Sequence, residues 1–225
     1  QGQAAQAGVQ YEKNGNKIYL SERLAEDQSG PVSSTVLGGE HALAPGSKIY
    51  TEYQWEQGEQ KNRAIQLQGV QRRWDLGPGW QLLANAERSV ILSANTNLNR
   101  YSLAAGLSYD NQRGLKASTR NELRREWGSE SRSQYLTVNN LELKLNPDYT
   151  LLGKYRYSLT RNHLTGLLEA GFEERSIGLA YRPVAHDRFN LLARFTRLVD
   201  QHPLQSEAQR SGSDVLSTEW SWQLS

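Results

Sequence analysis

The sequence predicts an all-β chain folded as an antiparallel up-and-down transmembrane β-barrel. Three observations predict it. Oily and polar side chains alternate over runs far longer than ordinary strands, tight-turn signatures separate the runs, and tyrosine and tryptophan recur at the ends of the oily stripes. The hairpin from Tyr101 to Trp127 carries all three. Tyr101, Leu103, Ala105, Leu107 and Tyr109 share one face, with Ser102, Ala104, Gly106 and Ser108 between them. After the turn Asp110-Asn111-Gln112-Arg113-Gly114, Leu115, Ala117, Thr119 and Leu123 oppose Lys116, Ser118, Arg120, Glu122 and Arg124. Tyr101 and Tyr109 are eight residues apart. That is about 26 Å along a strand, and about 20 Å along the membrane normal at a tilt of about 40°, close to the roughly 25 Å apolar band of a transmembrane barrel with aromatic girdles.

The other elements follow in chain order. Ala5, Ala7, Val9 and Tyr11 form an alternating strand. Asn14-Gly15 signals a type I′ hairpin, because that turn needs positive φ at both central residues. Ile18, Leu20 and Leu24 return. A Gly-rich strand through Thr35 and Leu37 runs to Leu43 and turns at Ala44-Pro45-Gly46-Ser47, and Ile49, Thr51, Tyr53 and Trp55 then alternate with Tyr50, Glu52, Gln54 and Glu56. Ile65, Leu67 and Gly69 are expected on the oily face opposite Gln66 and Gln68, with a bulge or rim near Val70 to Arg73 where the alternation weakens. Asp75 to Gly79 turns into Trp80, Leu82, Ala84 and Ala86. Beyond the central hairpin, Tyr135, Thr137, Leu141, Leu143 and Leu145 oppose Asn140, Glu142 and Lys144. Asn146-Pro147-Asp148 leads to Tyr149, Leu151, Gly153, Tyr155, Tyr157 and Leu159, against Lys154, Arg156 and Ser158. Strands through Ile177 to Tyr181, Phe189 to Phe195 and Leu216 to Leu224 complete the series.

The count is about thirteen strands, within a range of 12–14, forming one domain over 1–225 that is a whole barrel or the major part of a larger one. Polar stretches such as Ser89 to Asn99, Arg161 to Gly171 and Val199 to Asp214 read as long loops that alternate with short turns, the asymmetry of outer-membrane barrels. Closed single-chain bacterial barrels take an even strand number, so an odd count predicts at least one further strand outside this chain or a miscount by one.

The totals narrow the function classes. There is no cysteine, so disulfides and thiol chemistry are excluded. There is no methionine, which predicts a processed chain or a piece of a longer one. No run of 18 apolar residues marks a transmembrane helix. A mean hydropathy of −0.73 is compatible with a barrel, where half of each strand faces water. The net charge of +2, from 26 basic and 24 acidic residues, supplies no polybasic surface, so nucleic acid is not an expected partner.

Three stretches carry a resemblance. Tyr50-Thr51-Glu52-Tyr53-Gln54-Trp55, Leu145 to Gly153, and Gly178 to Val184 followed by Asp187 to Leu191 are similar to the C-terminal barrel regions of very large repeat-containing bacterial envelope and surface proteins. The resemblance covers nearly the whole chain and rests on turn and strand signatures. It implies a bacterial outer-membrane location in contact with lipid and lipopolysaccharide, and partners among other envelope proteins or the remainder of the same polypeptide. It implies no reaction, and it implies a strand series that continues past Ser225.

Catalytic and metal motifs are missing. None of His41, His163, His186 and His202 pairs with another histidine at metal-ligand spacing, and no nucleophile elbow is present. His186-Asp187 echoes the acid–histidine pairs of outer-membrane proteases but sits in an expected periplasmic turn. No catalytic, cofactor or metal residue is assigned. Two residue sets remain. Lys116, Arg120, Glu122, Arg124, Glu142, Lys144, Lys154, Arg156 and Arg194 are expected to line the lumen, either as charges that set solute preference or, the reading that their mixed signs favour, as a solvated and mutually paired interior. Tyr53, Trp55, Trp80, Tyr101, Tyr109, Tyr135, Tyr149, Tyr157, Trp220 and Trp222 are expected as an aromatic girdle at the lipid interface, with glycan stacking as the lesser reading. The leading expectation is a pore, conduit or membrane anchor of a larger envelope assembly, without catalysis. The alternatives are a soluble all-β binding or adhesin module and an outer-membrane enzyme with its site in the loops.

Overall fold

The structure, a computed structural model, describes residues 4–27, 30–58, 62–94, 96–185, 188–202 and 209–222. It contains thirteen strands and no helix among these residues: β1 (Ala4–Lys13), β2 (Asn16–Asp27), β3 (Gly30–Ala44), β4 (Ser47–Gly58), β5 (Arg63–Gly77), β6 (Trp80–Ser93), β7 (Asn97–Asp110), β8 (Leu115–Gly128), β9 (Arg132–Lys144), β10 (Tyr149–Asn162), β11 (Leu168–Tyr181), β12 (Phe189–His202) and β13 (Gln209–Trp222). Each strand is hydrogen-bonded to the next in sequence, so the sheet order is the chain order. This is the up-and-down meander that the turn spacing predicts. By packing, the chain divides into two compact units. The first comprises Gln1–Arg73, Ala84–Leu103 and Arg124–Arg132, the second Trp74–Leu83, Ala104–Leu123 and Ser133–Ser225.

One device recurs at the turn end of the hairpins. Asn14 and Gly15 take φ of 51° and 74°, the pair of positive values a type I′ turn requires. The Gly15 carbonyl then accepts a hydrogen bond from Ala42 N–H at 2.9 Å, which ties the turn to the strand after next. The same stitch joins Gly46 to Arg73 at 2.7 Å in the first unit, and Gly79 to Asp110 at 2.9 Å and Gly114 to Lys144 at 2.7 Å in the second. Gly79 must be glycine. Its φ is +78°, and a Cβ there would lie 2.3 Å from the Asp110 carbonyl oxygen.

Two expectations need correction. The polar stretches read as long loops are mostly strand. β6 continues to Ser93 and β7 begins at Asn97, while β10 runs to Asn162 and β11 begins at Leu168. The connection 129–131 is no longer than the turns 111–114 and 145–148. A ladder bonds backbone to backbone whatever the side chains, so β10 continues through Arg161 and Asn162 with both faces polar, while Val90, Ile91 and Leu92 carry β6 on to Ser93. The second correction concerns β5. Its register on β4 pairs Val70 with Ile49, Gln66 with Tyr53 and Ala64 with Trp55, running without a break from Arg63 to Arg72. Gln66 and Gln68 therefore share the apolar face with Tyr53, and Ile65, Leu67 and Gly69 lie on the polar face beside Tyr50 and Glu52. The β4–β5 ladder shows no bulge at Val70 to Arg72. Across the ladders from β1 to β5 and from β10 to β13, register shifts lie at Ala42/Ala44 and Thr160/Arg161.

The apolar face is bare. Val9, Leu103, Leu123, Ile177, Leu216 and Trp222 are 67, 59, 58, 56, 74 and 62% exposed. Among the described residues only Ile91, Ala104 and Val199 are buried hydrophobics. A water-soluble β domain buries its oily stripe against a second layer.

Candidate lumen site

Small residues opposite the oily ones place the polar face. Ser102 and Ala104 on β7 are 8 and 5% exposed, and Glu122 on β8 is 9% exposed, whereas their neighbours Leu103 and Leu123 stand bare.

In the first unit this face is filled by tyrosine. The Tyr19 ring on β2 lies across Gly38 on β3, so closely that a Cβ there would be 2.1 Å from the ring, and its hydroxyl donates to Glu52 on β4 at 2.5 Å. Tyr50 on β4 repeats the arrangement, with its ring over Gly69 on β5 and its hydroxyl donating to Glu87 at 2.5 Å. Each glutamate also accepts from an amide two residues away, Glu52 from Gln54 and Glu87 from Asn85. An ion pair joins Lys48 to Glu40 at 2.8 Å, and another joins Arg100 to Glu126 at 2.5 Å. The glycine notch lets the ring lie flat, and each carboxylate gains a phenolic and an amide donor in place of water.

In the second unit the polar face holds a cavity of about 640 Å³. Lys116, Glu142, Lys154, Glu174 and Arg194 line it, with Gln81, Ser108, Ser118, Asn140 and Ser176. Lys154 pairs with Glu174 at 2.9 Å and Lys116 with Glu142 at 3.7 Å, each across adjacent strands. These side chains stay 15–55% exposed, so the pairs are solvated and worth little individually. The arrangement offers charges of both signs and hydroxyl and amide donors around water-sized space.

Of the nine residues expected to line a lumen, Lys116, Glu142, Lys154 and Arg194 meet at this cavity. Arg120 pairs with Glu122 at 3.4 Å farther along β8, and Arg156 lies 5.1 Å from the Phe172 ring centroid. Lys144 sits at the Gly114 turn, and Arg124 belongs to the first unit. Glu174 is absent from the expected set because it falls between the expected loop, which ends at Gly171, and the expected strand, which begins at Ile177. The pairing of Arg156 with Glu174 and Lys154 with Ser176 puts it on the polar face. The tyrosine ladder was missed too, although Tyr19/Gly38 and Tyr50/Gly69 repeat at the same spacing.

Of the ten girdle residues, Tyr53, Trp55, Trp80, Tyr101, Tyr149, Trp220 and Trp222 are exposed, and Tyr109, Tyr135 and Tyr157 are half-buried. Tyr53 stacks on Trp55 at 6.0 Å, Trp80 lies 4.6 Å from Tyr109, and Tyr135 lies 6.3 Å from Tyr157. Three aromatics outside the expected set extend these contacts. Trp127 stacks on Tyr101 at 4.8 Å, and Tyr181 and Phe189 bridge Tyr149 to Trp222 through contacts of 4.8, 6.4 and 5.9 Å. His186 and Asp187 lie outside the described residues.

The long antiparallel meander, its bare oily face and its polar face together define the fold class of the outer-membrane β-barrels. Comparison with solved structures bears this out. The chain is similar to OmpT, an outer membrane protein of Vibrio cholerae, at 7% identity and a TM-score of 0.52, over 96% of this chain and 87% of that one. It also matches the KdgM porin, at 10% identity, a TM-score of 0.36 and 100 and 99% coverage. The NanC porin matches at 13%, 0.36, and 98 and 99%. The OmpT likeness shows the fold, and the two porin scores are too low to carry any argument. No family model and no curated protein matches the chain.

Proposed function

We propose that the chain is a bacterial outer-membrane β-barrel that serves as a pore, a conduit or the membrane anchor of a larger envelope assembly, and that it does so without catalysis. The observation that carries this reading is the segregation of faces. Leucine, isoleucine, tyrosine and tryptophan stand exposed on one side, and the other side carries paired charges around a cavity of about 640 Å³. Lipid is the medium in which such an exposed stripe is stable, and closure of a barrel is what satisfies strand edges there. The meander and the OmpT likeness add support. The partners in this reading are outer-membrane lipid and lipopolysaccharide, together with other envelope proteins or the rest of the same polypeptide, as the likeness to large repeat-containing envelope proteins suggests. Nucleic acid has no place in it.

Cell fractionation followed by planar-bilayer recording tests the proposal. The expected result is recovery with the outer membrane and discrete conductance steps. Recovery as a detergent-independent soluble protein would overturn the membrane reading, and insertion without conductance would leave only the anchor role. A soluble adhesin module would need its oily stripe packed against a second sheet, whereas the strands form one thirteen-stranded sheet with that stripe uncovered.

A further inference from the structure

A charged row crosses the apolar face of the second unit. Read across β10 to β13, the register aligns Tyr149 with Tyr181, then Leu151 with Leu179 and Ala193, then Ile177 with Phe195 and Leu216. The next row on the same face is Tyr155, Arg175, Arg197 and Asp214. Glu173 stands one row farther on. Arg175 and Arg197 are thus direct cross-strand neighbours, a placement that like charges disfavour. Each has one carboxylate, Arg175 with Glu173 at 2.5 Å and Arg197 with Asp214 at 3.9 Å, yet their side chains remain 68 and 62% exposed. A guanidinium carries five donors, so one carboxylate leaves most of each fork open.

Depth fixes what those open forks meet. Asp214 is eight residues from Trp222, and Arg197 eight from Phe189. That is the separation of Tyr101 from Tyr109, about 20 Å along the normal of a tilted strand. Arg197 and Asp214 therefore occupy rim positions, where charge on the lipid face costs least. At that level an anion with several oxygens satisfies both forks, as bidentate arginine–phosphate pairing does, and the acyl chains of the same molecule lie along Ile177, Phe195 and Leu216.

We propose that Arg175 and Arg197 form a binding site for the phosphate of a lipid headgroup on the outside of this barrel, with Glu173 and Asp214 holding the two guanidiniums apart and oriented. The proposal rests on the membrane reading above and commits to lipid rather than free phosphate, because the charged row is continuous with the exposed apolar rows.

The test is native mass spectrometry of the full chain folded in detergent micelles and titrated with diphosphorylated lipid A, with the same lipid stripped of its phosphates, and with inorganic phosphate. The expected result is retention of diphosphorylated lipid A at least about tenfold better than the dephosphorylated form, with inorganic phosphate failing to displace it. An Arg175→Gln/Arg197→Gln double variant should lose that preference. Equal retention of the two lipids by the unaltered protein would overturn the site, and this arm needs no variant to fold. Undiminished preference in the folded double variant would overturn it as well, and displacement by inorganic phosphate would overturn the lipid assignment. Conductance on the same preparation separates the two readings, since a channel that conducts but does not discriminate the lipids sinks only this site.

Discussion

The two units treat the same polar face in opposite ways. In the first, Tyr19 and Tyr50 lie flat over Gly38 and Gly69 and hand their hydroxyl protons to Glu52 and Glu87, so rings occupy the space next to the wall. In the second, Lys116 and Lys154 reach only to Glu142 and Glu174, and a cavity of about 640 Å³ remains. The contrast separates a face built for rigidity from a face built for water. A tyrosine in a glycine notch holds three consecutive strands in one register, whereas a solvated Lys–Glu pair holds little and leaves its charge available to solutes.

The largest effect should come from the turn stitch common to both units. Gly79→Val puts a Cβ against the Asp110 carbonyl oxygen at a positive φ, neither of which can relax. The folded state should lose about 3 kcal/mol, read from the urea midpoint in detergent or liposomes. If the midpoint does not move, the stitch is not what fixes the hairpins. Next comes the contrast itself. A Cβ at Gly69 would meet the Tyr50 ring at 2.3 Å, and one at Gly178 would meet the Ala193 carbonyl oxygen at 3.2 Å. Gly69→Ala should cost about 2 kcal/mol and Gly178→Ala less than about 1. Equal losses would erase the distinction between the units. Tyr50→Phe keeps the ring and removes its donor to Glu87, for an expected loss of about 1 kcal/mol. A thermodynamic cycle with Glu87→Gln should recover a coupling of the same size.

The smallest stability changes belong to the cavity, where function should respond instead. Lys154→Gln should shift the midpoint by less than about 1 kcal/mol. Reversal potentials under a salt gradient should move toward cation preference with Lys154→Gln and toward anion preference with Glu174→Gln. Selectivity unchanged by both would remove this cavity from the conduction path.

Much of this was legible beforehand because local chemistry set it. Asn14-Gly15 could only be a tight hairpin, and the alternation from Tyr101 to Tyr109 marked one face for solvent and one for oil. Polar strand ends such as Arg161 and Asn162 of β10 were not legible, since backbone pairing leaves no mark in side-chain type. The cavity was half legible. Lys116, Glu142, Lys154 and Arg194 stood out by alternation, but Glu174 joined them only through the β10–β11 register.

By itself the sequence determined the strand class, the turns and the period-two split of each strand, because propensity, φ at glycine and side-chain alternation act within a few residues. Only the tertiary structure decided which of the two faces of β5 joins the apolar side. It also decided which glycine lies under which tyrosine, and which arginines become neighbours. Those are consequences of register, and register depends on how each strand meets residues far away in the chain.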